Sequence, residues 1–321
     1  MYFKHFGLKK NPFLLSTSTG CIYYSDSHCE AIAQLLYAVR ECKGIVLLTG
    51  AAGTGKTTLL HTVLNLVRPT GAVASMILNP MMETAQELLA SVLAGFKVDV
   101  GRRTATELAG VLFGFLVDQA RQGRRAILVV DEAQQLSSRT LENLRLISNV
   151  ENNGERMIQL VLSAQPEIRK VMASSSHTAL RQRIVARCSL EALHPSEVWN
   201  YLALRIAWAG GDGRMIFQPE AVDRMAVASS CTPRLINVLA DNCLIAAYAR
   251  GLNSVDAELV DRVANDFELT EEAVPVGNPD RMPADRTAES WKRLVNQYAS
   301  YGVPEALQRF ANSLSFGQQA G

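Results

Sequence analysis

The stretch "IVLLTGAAGTGKTT", Ile45 to Thr58, constrains this chain more than any other. It joins a short apolar run, a turn that fits G-x-x-x-x-G-K-[ST], and the start of a helical pattern. Glycines let a backbone curl until its N–H groups converge, and a helix N-terminus adds the positive end of its dipole. A loop of this kind holds phosphates. Its residues are Gly50, Ala51, Ala52, Gly53, Thr54, Gly55, Lys56, Thr57 and Thr58. Lys56 is placed to reach β- and γ-phosphates, and Thr57 to offer a hydroxyl to Mg²⁺.

The rest of the chain supplies what such a loop needs around it. Apolar runs at 45–49, 73–78, 126–130, 158–163 and 185–190 alternate with helical patterns. Strands alternating with helices predict a parallel sheet buried on both faces. After about residue 193 the strand signal stops. Helical patterns near 195–209, 219–229, 233–249 and 256–266 predict a small all-helical domain. The Pro-rich, acidic stretch 269–286 reads as a linker, and 287–321 as a short helical tail.

"AILVVDEAQ" ends an apolar strand in Asp131 and Glu132. Asp131 fits the Mg²⁺ shell and Glu132 a general base that polarises the attacking water. Alone, the pair would equally fit a cap after a core strand. Asn79, at the end of the 73–78 run, is in position to hold Glu132 inactive if the two strands are neighbours; an Asn-Pro turn is the plainer alternative. Ser163 and Gln165 end the 158–163 run, where a polar side chain positions water or caps a loop. "ALRQRIVARC" presents Arg181, Arg183 and Arg187, of which one would reach a neighbouring subunit's nucleotide.

"CTPRLINVLADN" begins a helix oddly. Pro233 suits a first helical position. Arg234 does not suit the next one, because the positive dipole end disfavours a cation. A multiply charged phosphate tail would offset that cost. Arg234 is therefore expected to meet the nucleotide and to sense its γ-phosphate.

Composition excludes several alternatives. The chain is 48% hydrophobic and 20% charged, which is globular. Its net charge of +1 gives no global basic field for nucleic acid. The cysteines form no C-x-x-C pair and most lie in apolar segments, which fits buried thiols. No apolar run is long enough to span a membrane, and the first residues lack a signal peptide's apolar core. These features read as cytoplasmic.

"FGLKKNPF", "YYSDSHCEAIAQLLYAV", "LLTGAAGTGKTTLL", "LVVDEAQQL", "QPEI", "LRQRIVARCSLEAL" and "PRLINVLADN" together resemble the AAA+ ATPases of the ExeA/GspA secretion type. The TniB/TnsC transposition ATPases are relatives of that type. The resemblance covers about residues 1 to 268. It implies a P-loop α/β core at 44–192, preceded by an N-terminal segment and first helix at 1–43 and followed by an α-helical lid at 193–268. It puts Lys56 and Thr57 on Walker A, and Asp131 and Glu132 on Walker B. Ser163 or Gln165 falls on the first sensor, Arg183 on the trans-acting arginine finger and Arg234 on the second sensor. Pro12, Phe13 and His28 fall where such proteins line the adenine pocket. Cys231 stands where the family pattern has glycine. The implied protein is an oligomeric ATPase that uses ATP and Mg²⁺ and assists an envelope export system through a protein partner. A DNA-associated transposition ATPase and a nucleotide-gated scaffold are the alternatives.

Overall fold

A computed structural model describes residues 2–15, 21–42, 44–152, 154–211 and 216–269. The predicted tail, and all of the predicted linker but Leu269, lie outside the described residues. Along the chain run α1 (Tyr2–His5), α2 (Asp26–Glu41), β1 (Ile45–Gly50), α3 (Lys56–Val67), β2 (Val73–Ile77), α4 (Ala85–Gly95), α5 (Ala105–Arg121) and β3 (Ala126–Val130). Then come α6 (Ser138–Ser148), β4 (Glu151–Asn152), β5 (Glu155–Arg156), β6 (Ile158–Ala164), α7 (Ile168–Ala173), α8 (Thr178–Arg183) and β7 (Ile184–Leu190). The chain continues with α9 (Val198–Trp208), α10 (Pro219–Ala228), α11 (Pro233–Ala249) and α12 (Ala257–Asp266).

The chain divides into two compact units. Among the described residues one holds 27–52 and 59–190; the other holds 2–26, 53–58 and 191–269. In the first, five strands pair in parallel in the order β2-β3-β6-β1-β7. β6 lies between β1 and β3, and β2 lies outside β3 at the sheet edge. β1, β3 and β6 are buried along their whole length, so continuous apolar sequence, not alternation, is what they need. α4 and α5 start on capping boxes, Thr84 with Glu87 and Thr104 with Glu107. They bury Leu88, Leu89, Val92 and Leu93 of α4, and Leu108, Leu112 and Leu116 of α5, at helical spacings of three or four, in the same core as the sheet. A two-residue antiparallel pair, β4 with β5, was not foreseen.

The second unit is helical. Leu202, Ile206, Met225, Ile236, Leu239, Leu244 and Val260 form its core with Leu8 and Phe13 of the N-terminal segment. Phe13 packs edge-on to Phe217 at 5.9 Å. The Tyr2 hydroxyl donates to Asp241 of α11, and burial, then that carboxylate, raises the Tyr2 phenol above its usual range. Arg205 is 4% exposed, and its guanidinium donates to the carbonyl of Leu14 at 3.0 Å. The N-terminal segment is thereby part of this unit.

α10 ends in two successive left-handed residues, Ser230 (φ 46°) and Cys231 (φ 54°). Their N–H groups return to Val227 and Ala226, both at 3.0 Å, which closes the helix end. Cys231 takes the glycine-type conformation while burying its side chain in the core. All six cysteines are buried, and none forms a disulfide among the described residues. Burial pushes the Cys188 thiol up to about 12 and the Cys231 thiol up to about 11.

Candidate functional site

β1 ends at Gly50 and α3 begins at Lys56, so the glycine-rich loop is the connection between them. Gly53 (φ 82°) and Gly55 (φ 102°) occupy the left-handed region that the curl requires. Lys56 is 5% exposed and Thr54 1%. A lysine so buried holds its charge only among polar partners.

β3 and β6 run parallel to β1, so the residues that follow all three emerge at the same edge of the sheet. After β3 comes Asp131, 2% exposed, whose backbone N–H donates to Ile77 of β2 at 2.8 Å. Its Oδ1 accepts from the Glu132 N–H at 3.0 Å. Glu132 has φ 53°, a left-handed conformation that a non-glycine residue holds only at a cost. Its carboxylate Oε2 accepts from Gln134 Nε2 at 2.5 Å and from Gln165 Nε2 at 3.3 Å. The Gln165 backbone N–H in turn donates to Gln134 Oε1 at 3.0 Å.

This network contains Gln165, which follows β6. It also contains Gln134, which the sequence reading passed over. The available signal was the first polar residue after the acidic pair in "DEAQQ". Asn79 follows β2, which does border β3, but Asn79 is exposed. Among the described residues the hydrogen bonds to the Glu132 carboxylate come from the two glutamines and none from Asn79. Ser163 is fully buried, and its Oγ has no hydrogen-bond partner among the described residues.

Of the three arginines, Arg181 is spent locally. Its guanidinium donates to the Met172 carbonyl at 2.7 Å and to Thr178 Oγ1 at 3.0 Å. Arg183 ends α8, and Arg187 is exposed on the edge strand β7. His28 is buried in α2 of the sheet unit, whereas Pro12 and Phe13 are buried in the helical unit.

Arg234 is exposed at the second position of α11. The N-cap Thr232 makes no side-chain cap, so the first-turn N–H groups need other acceptors. The Arg234 N–H finds one in the Gly53 carbonyl, at 3.3 Å. A Cβ at position 53 would lie 2.7 Å from Arg234 Cβ and 3.1 Å from Thr232 Cγ2. Gly53 is thus required twice, for its φ and for the close approach of the α11 start.

The donor chemistry suits a hard cation. Asp131 offers a buried carboxylate and Thr57 a hydroxyl, each an oxygen donor of the chemistry that Mg²⁺ takes. No cluster of three or more His, Cys, Asp or Glu residues that could itself hold a metal occurs among the described residues.

Comparison with known proteins agrees with this geometry. Residues 39–172 match the AAA domain family. General secretion pathway protein A of Aeromonas hydrophila is 37% identical over 256 residues, 79% of this chain and 46% of that protein. The ESX-1 secretion system protein EccA1 of Mycobacterium tuberculosis is 25% identical over 52% of this chain and 28% of its own length. The chain therefore spans less than half of either relative. Among solved structures, the Aeropyrum pernix ORC2 protein superposes with a TM-score of 0.62 at 15% identity, covering 98% of this chain and 85% of that one. That likeness concerns the fold. With the phosphate loop, the sheet order and the sequence identity taken together, the chain is an AAA+ P-loop protein related to general secretion pathway protein A.

Proposed function

We propose that this protein binds ATP with Mg²⁺, hydrolyses it to ADP and phosphate, and works as an oligomeric switch that assists a secretion or export system. The observation that carries the reading is the Asp131–Glu132 pair, held by side-chain hydrogen bonds at the sheet edge from which the phosphate loop also departs. A loop alone would serve a binding module. A buried carboxylate followed by a second one, fixed by two amides, is what a hydrolase needs.

In this reading Thr57 and Asp131 would hold Mg²⁺, which would supply positive charge to offset that of the phosphate tail. The chain's own groups do the remainder. The loop backbone and Lys56 orient the β- and γ-phosphates. Glu132 accepts a proton from water as that water attacks the γ-phosphorus, and the bond to the bridging oxygen breaks to release ADP. Ser163 and Gln165 line the approach of the water. Arg183 completes a neighbouring subunit's site, because Arg181 is already engaged. Arg234 reads the γ-phosphate, and Pro12, Phe13 and His28 receive the base. The secretion role rests on the likeness to general secretion pathway protein A.

Nucleotide titration tests the assignment. Lys56→Ala should abolish ATP binding, while Glu132→Gln should bind ATP as the wild type does. Equal loss in both variants would remove Glu132 from a purely catalytic role.

A further inference from the structure

We infer that Gln134 is a positioning residue for hydrolysis: it fixes the Glu132 carboxylate so that one oxygen is anchored and the other faces the attacking water. The inference rests on the reading of Glu132 as the general base.

The argument starts from the orientation of the Gln134 amide. An amide's oxygen and nitrogen are told apart only by their partners. Here one partner is unambiguous. The backbone N–H of Gln165 can only donate, and it points at Gln134 Oε1 at 3.0 Å. The other end of that amide is therefore its NH₂, and it lies 2.5 Å from Glu132 Oε2. A carboxylate oxygen accepts, so the two contacts are consistent with each other. Gln165 Nε2 donates to the same oxygen at 3.3 Å.

The division between the two carboxylate oxygens follows. Oε2 takes both amides, and Oε1 takes no hydrogen bond among the described residues. A base held at one oxygen keeps its rotamer and presents the other. Gln134 is well placed to hold it, because the short 3-10 turn 133–135 starts directly after the left-handed Glu132. Gln134 also links two strand ends: Glu132 follows β3 and Gln165 follows β6. A shift at Gln165 therefore reaches Glu132 along two hydrogen-bonded routes. One is the Gln165 side chain, and the other is its backbone through Gln134.

Two variants separate the functions of this amide. Gln134→Met keeps the length and removes both hydrogen bonds. Gln134→Glu keeps an acceptor for the Gln165 N–H but sets a second carboxylate against Glu132 Oε2. Turnover, ATP affinity and hydrogen exchange of the Gln165 amide are measured for each. Misplacing a reacting group by a fraction of an ångström to an ångström costs up to about a hundredfold in rate. We expect kcat to fall about ten- to a hundredfold in both variants, with KM and ATP affinity unchanged. The Gln165 amide should exchange faster in Gln134→Met and stay protected in Gln134→Glu. If Gln134→Met does not fold, Gln134→Glu carries the test alone. Wild-type kcat in the folded variants would overturn the inference. So would a rise in kcat, which would mean that Gln134 restrains the base, or a parallel loss of ATP affinity, which would mean a structural part. Should Glu132→Gln itself still turn over, the failure would lie with the general-base reading.

Discussion

Gly53 and Arg234 touch through backbone and Cβ atoms, and this decides what each substitution should do. The docking of α11 on the loop does not need a guanidinium, so Arg234→Ala should leave it in place and remove only what the side chain adds. A charge-assisted hydrogen bond to a γ-phosphate contributes ~1.5–3 kcal/mol, or roughly ten- to a hundredfold in affinity. Titrating both nucleotides should therefore show ATP weakened by that factor and ADP little changed. An unchanged ratio of ATP to ADP affinity would leave Arg234 as a packing residue. That Arg234 reads a phosphate is an expectation from the sequence, since a cation at a helix start calls for an anion, and the titration decides it. The role of the Gly53 carbonyl was not, because it is a tertiary contact with a segment far away in the chain. Gln134 escaped for a related reason: its part depends on Glu132 taking a left-handed backbone, and on the end of β6 lying beside the end of β3.

At the scale of elements, long apolar runs told most. The five strands of the sheet lie within a residue of the predicted runs; β1, β3 and β6 are buried along their length, which favours runs of mostly apolar residues. β4 and β5 were missed because two-residue strands carry no period. The order β2-β3-β6-β1-β7 is set by pairing between distant segments and was only partly foreseen. The turn from α10 to α11 gives a stability test. Ser230 is exposed and left-handed, so Ser230→Gly removes backbone strain without losing a buried group. It should stabilise the protein by ~0.5–1 kcal/mol in denaturant unfolding. Cys231→Gly should gain less or nothing, because it also deletes a buried side chain. Glu197, just before α9, gives a pH test. Burial raises its carboxyl above the ordinary 4.5; the His194 N–H it accepts from at 2.8 Å lowers it, and the Asp26 charge raises it again. A value higher in the folded than in the unfolded chain means that the folded state binds the proton more tightly. This contribution is full below 4.5 and is lost as pH rises through the folded value. Unfolding midpoints of wild type and Glu197→Gln across roughly pH 4 to 7 should diverge in that direction. A wild-type profile parallel to that of the variant would contradict it.

For the whole molecule, the proposed assembly predicts that sites are shared between subunits. Arg183→Ala should bind ATP and hydrolyse it poorly, as should Glu132→Gln. Mixing the two proteins should restore part of the activity, because some interfaces then join an intact Arg183 to an intact Glu132. Absence of rescue in confirmed mixed assemblies would place Arg183 outside a neighbour's site. All such effects presuppose that the protein turns ATP over, and that claim has a direct test. Phosphate release from ATP and Mg²⁺ is followed for wild type and for Glu132→Gln under conditions where both are saturated with nucleotide. The account predicts steady release by the wild type and none above background from the variant. Release at equal rates from both, or from neither, would contradict it.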